Sequence, residues 1–420
     1  MDFYSAWPFF VCIAALLVLA STPVFAAADA PGSQGRLATL DGLRGFLALA
    51  VVFHHAAIYR GFLMHGRWEM PPSHFYVQLG PFGVAMFFMV TGYLFWSQLI
   101  QKDGRPDWLR LYVGRVFRIG PLYLAAIAAM LAVVMVGTGF RLNVPPAQLA
   151  SQVGAWSMLG FLPGPDVNGY PVTGLLLAGV TWTLRYEWLF YLGLPAAALA
   201  ARCCRTHLAP VLIGLAACFL IMVLQPGSPA LTQKAAFAAL FLSGMACASL
   251  HKHGLAAPLP AAVSSALVLA LVAASFWFPA IYAAGPILLL GGAFYLITSG
   301  CTVFGLLASV PARRLGDISY GIYLLQGLAL AAVLRPGPMR AAALASPAGH
   351  WLLVMLGTAV LVLVALAAHV AIERPGIALG KAAAAALRRR APRASPAVPA
   401  GLAAHQPGTS ESPRPSARCI

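Results

Sequence analysis

The segment Leu40-Asp41-Gly42-Leu43-Arg44-Gly45-Phe46 opens an apolar run that ends Phe53-His54-His55. Arg44 and His55 are eleven residues apart, which on a helix is three turns plus about 20°, so both project from one face about 16 Å apart. Such a helix carries a cation at one end and, deep among apolar residues, an imidazole that can take a proton from a hydroxyl. An ionisable group in that setting is costly and is by default a functional candidate. The alternative is that His55 bonds a neighbouring helix and Arg44 reaches phosphate headgroups. His54 reads as a packed or hydrogen-bonded neighbour.

A second group lies in Thr181-Trp182-Thr183-Leu184-Arg185-Tyr186-Glu187-Trp188-Leu189-Phe190-Tyr191. Glu187 reads as the only acid well inside an apolar segment, and a lone carboxylate there requires a partner. Arg185, two residues away, is on another helical face. His55 is a chemically sensible partner, because a carboxylate can hold an imidazole tautomer and stabilise the imidazolium formed in base catalysis. A polar link between helices would explain Glu187 equally well.

A third group is Arg105, Arg110, Arg115 and Arg118, read as a loop leading into Ile119-Gly120-Pro121. Arg115 and Arg118 face one way if helical, and their guanidinium forks suit a diphosphate such as that of coenzyme A. Charge alone allows lipid headgroups instead. A fourth group, Asp317-Ile318-Ser319-Tyr320-Gly321-Ile322-Tyr323-Leu324-Leu325-Gln326, puts hydroxyls and an amide into one or two turns. It could line a polar cavity or bond helices together.

These groups need a scaffold that holds them at depth, and the composition supplies one. Of 420 residues, 60% are hydrophobic and only 9% charged, against roughly 25% charged in soluble domains. This excludes an ordinary soluble enzyme and predicts an all-α, polytopic integral membrane protein. Runs of about 20 apolar residues recur near 42–60, 79–100, 119–138, 182–201, 209–225, 235–250, 259–277, 281–300, 315–334 and 351–372, giving about ten core transmembrane helices. An additional apolar segment, Trp7 to Ala28, is signal-like at Val24-Phe25-Ala26, yet it has Asp2 and no Lys or Arg before it. It reads as a cleaved signal, an extra span or a start placed too far upstream. The expected organisation is an N-terminal apolar segment and linker over 1–37, a membrane domain over 38–376, and a disordered basic tail over 377–420.

The net charge of +16 comes from 27 Lys and Arg against 11 acids. If the spans alternate, Arg60, Arg67, Arg141, Lys234, Arg335 and Arg340 lie outside, Arg185 lies within a span, and the remaining 20 lie inside. The positive-inside rule therefore places the tail in the cytosol, and the charge is attributed to membrane orientation rather than to nucleic acid. The longest outside loop is 139–181, with a partly buried turn at Trp156 to Leu162. The seven cysteines form no zinc or disulfide pattern, and no metal is expected.

Taken in order, the segments resemble acyltransferase family 3, the membrane-bound O-acyltransferases that include bacterial O-antigen and peptidoglycan O-acetyltransferases. The residues that carry the resemblance are Leu40 to Gly45 with His55, Phe82-Gly83-Val84 with Phe87-Phe88-Met89-Val90-Thr91-Gly92-Tyr93, Arg115-Val116-Phe117-Arg118, Trp182 to Glu187, Ile318 to Tyr323, and Glu373-Arg374-Pro375. It covers roughly residues 38–376. This chain departs from it in having Trp188 where many members have a second Glu, and Gln326 where many have a histidine.

The resemblance implies transfer of an acyl group, most often acetyl, from coenzyme A to a hydroxyl of a cell-envelope glycan or glycolipid. It selects His55 over His54 as the base, and carries activity over to Arg44 and acyl-donor binding to Arg115 and Arg118. The expected site is thus His55, Glu187 and Arg44 for catalysis, Arg115 and Arg118 for coenzyme A, and Trp182, Tyr186, Ser319 and Tyr323 for the acceptor. Acyl-coenzyme A is a co-substrate, with no permanently bound cofactor, and the partners are the bilayer and a glycan or glycolipid. The expected location is a bacterial inner membrane. The competing reading is a glycolipid or anion transporter that uses the same His, Glu and Arg residues along a pathway.

Overall fold

Inside a bilayer no water satisfies backbone N–H and C=O groups, so an apolar chain must close its hydrogen bonds within helices. A computed structural model describes residues 2–29, 37–204, 206–225, 227–255 and 259–390. Among them the regular elements are helical, with no β-strand. They are α1 (Trp7–Ser21), α2 (Ala38–His65), α3 (His74–Gln101), α4 (Trp108–Gly137), α5 (Pro146–Trp156), α6 (Trp182–Cys203), α7 (Leu208–Leu224) and α8 (Pro229–Lys252), followed by α9 (Ala261–Phe276), α10 (Ala284–Thr298), α11 (Val310–Asp317), α12 (Ser319–Leu334), α13 (Gly337–Ala345), α14 (Pro347–Ala368) and α15 (Arg374–Arg390). A single π-helical turn, His369–Glu373, joins the last two.

Each expected apolar run falls on helix. Five helical stretches are long and apolar enough to cross a membrane: α2, α3, α4, α8 and the continuous stretch from Pro347 to Arg389. The pair α11 and α12 makes a sixth if counted as one span, broken by a 68° bend. α1, α7, α9 and α10 are apolar but shorter. The protein is a polytopic membrane protein in which, among the described residues, five or six helices qualify as spans by length and composition. Of the arginines expected in a loop before residue 119, Arg110, Arg115 and Arg118 are helical and Arg105 is not, because α4 begins at Trp108, capped by the Asp107 side chain on the Arg110 N–H at 3.2 Å.

Close helix approach sets how the site elements sit. A Cβ on Gly42 would come within 1.9 Å of the Leu307 carbonyl oxygen, and one on Gly316 within 1.7 Å of the Asp41 carbonyl oxygen. Only glycine lets α11 lie this tightly on the start of α2, and that contact fixes where Arg44 and the α11–α12 bend meet. Outside the spans, the 139–181 segment contains α5 and buries Trp156, whose indole N–H donates to the Pro165 carbonyl at 2.8 Å.

At the N-terminus the structure is compatible with one of the open readings, an extra span, and at the C-terminus it departs from expectation. The N-terminal segment packs as part of the bundle. Phe3 contacts Trp351 and His350, while Leu16, Ala20, Phe25 and Ala28 are almost wholly buried. Helix α1 and the 3₁₀ turn Pro23–Ala28 together rise about 34 Å, close to a hydrocarbon thickness. They run from the Phe3 end, shared with Arg60, to the basic end at Arg314. There Arg314 grips both carboxylate oxygens of Asp29 at 2.9 Å and donates to the Ala20, Ser21 and Thr22 carbonyls. Its guanidinium, hydrogen-bonded to Asp29, holds that carboxyl below the usual carboxylate range. At the other terminus, the tail expected to be disordered from 377 is helical through Arg390, with α15 packed along α4. Arg388 pairs with Asp107 at 2.9 Å. Residues 391–420 of that tail lie outside the described residues.

Arg314→Ala should therefore loosen the N-terminal segment. The loss of charge-assisted bonds is worth on the order of 2 kcal/mol, and thermal unfolding in detergent together with protease sensitivity near residue 29 would show it. An unchanged melting profile would mean that these contacts do not hold the segment. Because the Asp29 pKa is depressed, its share of the stability is present at neutral pH and lost as pH falls through the lowered value.

Candidate active site

A cavity of about 1010 Å³ opens among α2, α3, α4, α6, α12 and α15. It lines α3 from Val84 to Lys102, about 27 Å of helix rise. Lys102, Asp107, Arg110 and Lys381 mark its charged end, whereas Val84, Phe87, Thr183 and Tyr323 lie at the other. Its lining includes seven cations, namely Arg44, Lys102, Arg110, Arg115, Arg118, Arg374 and Lys381, against the carboxylates Asp107, Glu187 and Asp317. Such a site attracts a polyanion.

The α11–α12 bend contributes Asp317, Ser319, Tyr320 and Tyr323 to the wall. Broken helices at membrane depth are tolerated where they line a cavity. Tyr320 donates to the Ile119 carbonyl at 2.9 Å, beside Pro121 of α4. Tyr323 shares a hydrogen bond with the Thr183 hydroxyl at 3.0 Å. The Ser319 hydroxyl is buried and has no hydrogen-bond partner among the described residues.

Of the residues expected at the site, Arg44, Glu187, Arg115, Arg118, Ser319 and Tyr323 line this cavity. Glu187 accepts a hydrogen bond from Tyr191, one turn along α6. Arg115 lies beside the same hydroxyl and over the Phe95 ring, its Cζ 5.2 Å from the ring centroid. Arg118 is paired with Glu373, and the opposite oxygen of that carboxylate meets His369 Nδ1 at 3.1 Å. The two arginines expected to act as one phosphate grip are therefore divided: Arg118 is engaged by a buried acid, while Arg115 sits with Tyr191.

His55 is not in the cavity wall. It is half-buried, and its Nδ1 is 2.9 Å from the Gln326 side-chain oxygen. Trp68 lies over it at 5.9 Å between ring centroids. The expected His55–Glu187 pairing is replaced by His55–Gln326 and Tyr191–Glu187, because each group finds its partner at its own depth. Arg44 and His55 do share α2 but serve different compartments of the fold. His54 is structural, with Nδ1 2.8 Å from the Tyr76 carbonyl. Trp182 and Tyr186 also lie away from the cavity wall, both against Phe237, with ring centroids 5.4 Å and 4.7 Å from it.

A family profile described as an acyltransferase domain matches residues 37–370. The chain belongs to acyltransferase family 3. It is 28% identical over 325 residues to the exopolysaccharide production protein ExoZ of Rhizobium meliloti (strain 1021), covering 75% of this chain and 94% of that protein. It is also 28% identical over 181 residues to Nodulation protein 10 of Rhizobium leguminosarum bv. viciae, covering 39% of this chain and 44% of that one. No solved structure matches it.

Sequence reasoning on this membrane acyltransferase missed Trp68 and the roles of Glu373, Tyr191 and Gln326. Glu373 is 1% exposed and Glu187 is half-buried, so Glu187 is not the only acid well inside an apolar segment, and the fully buried one is Glu373. Its Glu-Arg-Pro setting signalled importance but looked like a span edge. Among the described residues, no three His, Cys, Asp or Glu side chains cluster to hold a metal ion.

Removing one partner of a buried charge pair costs about 3–5 kcal/mol. Glu373→Ala should accordingly lower the thermal stability of the acyltransferase in detergent by a loss of that order. Wild-type stability in this variant would mean that Arg118 is held by something other than Glu373.

Proposed function

We propose that this acyltransferase moves an acyl group, acetyl in the simplest case, from coenzyme A to a hydroxyl of a cell-envelope polysaccharide or its lipid-linked precursor. His55 acts as the general base. The observation that carries this reading is a cationic cavity that enters from the basic end of the bundle and ends at Tyr323, one helical turn from the Gln326 that holds His55. The similarity to an exopolysaccharide production protein supports a polysaccharide acceptor.

By the positive-inside rule the cavity mouth and the C-terminal end lie in the cytosol of a bacterial inner membrane, where coenzyme A is available. Lys102, Arg110, Arg115 and Lys381 suit its phosphates. The far end, where Val84 and Phe87 lie with Thr183 and Tyr323, suits the thioester arm. The acceptor hydroxyl loses its proton to His55 as its oxygen attacks the thioester carbonyl. The tetrahedral adduct then collapses, the C–S bond breaks, and the coenzyme A sulfur leaves and takes a proton. One positioned base contributes about 10²–10⁴-fold, and alignment of donor and acceptor supplies the remainder.

The test follows labelled acetyl from acetyl-coenzyme A in membranes that hold equal amounts of wild type, His55→Ala or Arg115→Ala. Wild type should label a polysaccharide or glycolipid. His55→Ala should fall by at least about 100-fold, and Arg115→Ala should raise KM for the donor. Near-normal turnover in His55→Ala would remove the base assignment. Absence of product with wild type, alongside movement of an unmodified glycolipid, would favour a transporter.

A further inference from the structure

A histidine can serve as a base only through the nitrogen that carries no proton, and in a neutral imidazole the surroundings decide which one that is. His55 Nδ1 lies 2.9 Å from Gln326 Oε1. A glutamine amide offers either an acceptor or a donor, so this contact alone leaves two assignments open. The second contact of Gln326 decides between them: its Nε2 donates to the Tyr323 carbonyl at 2.7 Å. A backbone carbonyl only accepts, so turning the amide over would set two oxygens against each other at that distance. Gln326 is fully buried, which leaves no water to satisfy the reversed orientation. With Oε1 fixed toward the ring, the hydrogen of this contact sits on Nδ1, and the imidazole also meets the Val51 carbonyl one turn back along α2.

Tyr323 is itself held. Its hydroxyl meets Thr183 at 3.0 Å and lies 3.4 Å from the Val180 carbonyl. The amide clamp is thus braced across α12 and α6, and its carbonyl cannot swing away without breaking these bonds. His54, the adjacent imidazole, is occupied by the Tyr76 carbonyl and does not compete for Gln326.

We propose that Gln326 is a positioning residue that holds His55 in its Nδ1-protonated tautomer, leaving Nε2 as the atom that receives the acceptor's proton. The inference rests on the reading of His55 as the base and adds the residue that sets its tautomer and the atom that works. Tyr323 belongs to the same device through its carbonyl, and the polar side chain at 326 matters for what it accepts, not for its amide as such.

The test has two arms. Nitrogen-15 spectra of histidine-labelled protein in detergent, with the His55 signal assigned by its loss in His55→Ala, should show a protonated Nδ1 and a bare Nε2 in the wild type. In Gln326→Leu that preference should weaken. In acetyl transfer, Gln326→Leu should lower kcat by at least about tenfold with KM for acetyl-coenzyme A unchanged. Gln326→Glu, which keeps an acceptor oxygen, should recover most of the turnover. A wild-type spectrum with Nε2 protonated would overturn the proposal, as would a folded Gln326→Leu protein with wild-type kcat while His55→Ala is inactive. If His55→Ala stays active, the base reading fails separately, and the spectrum still decides the tautomer.

Discussion

A carboxylate with no exposed surface at membrane depth persists only where cations or hydrogen-bond donors meet both of its oxygens. Glu373 meets Arg118 of α4 on one side and His369 on the other. The single π turn between α14 and α15 carries both acid and imidazole, and π turns of this kind commonly occur at functional sites. Three chain regions converge on the turn. It attaches the last long apolar helix to α4, and Arg374, the next residue, donates to the Ala27 and Ala28 carbonyls of the N-terminal segment. Beyond it α15 runs back along α4, pinned by Arg388 on Asp107. The basic wall of the cavity, with Arg110 on one helix and Lys381 on the other, exists because this pair holds the two helices together.

From that wall inward, the cavity sorts its chemistry by depth. Fixed positive charge collects near Lys102, Arg110 and Lys381, and the far end is aromatic and hydroxylic. Helix α12 bridges this end and the histidine: Ser319, Tyr320 and Tyr323 face the cavity, and Gln326 faces His55. On the proposed reading, the anionic part of the donor stays where the cations are and only the thioester travels to the level of Tyr323.

Much of this was legible in the sequence, and what was not has physical causes. Apolar runs locate helices well because burial in lipid or in a bundle demands them. They do not say which helices touch, which here depends on glycine contacts such as Gly42 against Leu307. The expected Glu187–His55 pair overlooked a nearer partner, since Tyr191 lies four residues on and therefore on the same face. Glu373 looked like a residue at the edge of the last span, and its burial follows only from the continuation of the chain into α15. That continuation was itself readable. Residues 377–390 are rich in Ala, Leu, Lys and Arg, strong helix formers, but their basic, aromatic-poor composition is equally that of a disordered tail. The division of Arg115 from Arg118 could not be read, because spacing gives a shared face but not what the opposing helix presents to it.

The far side of His55 has its own architecture. Trp68 stands 5.7 Å from Tyr59 and 5.8 Å from Phe62 between ring centroids, and covers His55 as well. Arg335 at the end of α12 donates to the Tyr59 hydroxyl at 2.8 Å and to the Tyr170 hydroxyl at 3.0 Å. It thereby ties the 139–181 segment to α2 one turn beyond the histidine. If the donor fills the cavity on one side of the Tyr323 layer, the acceptor hydroxyl must reach His55 from the other, where aromatic surface with a few polar groups surrounds it. The expected acceptor residues Trp182 and Tyr186 pack instead against Phe237. The aromatic frame beside His55 is instead Trp68, Tyr59 and Phe62, with Arg335 bonded to the Tyr59 and Tyr170 hydroxyls and lying over the Phe62 ring.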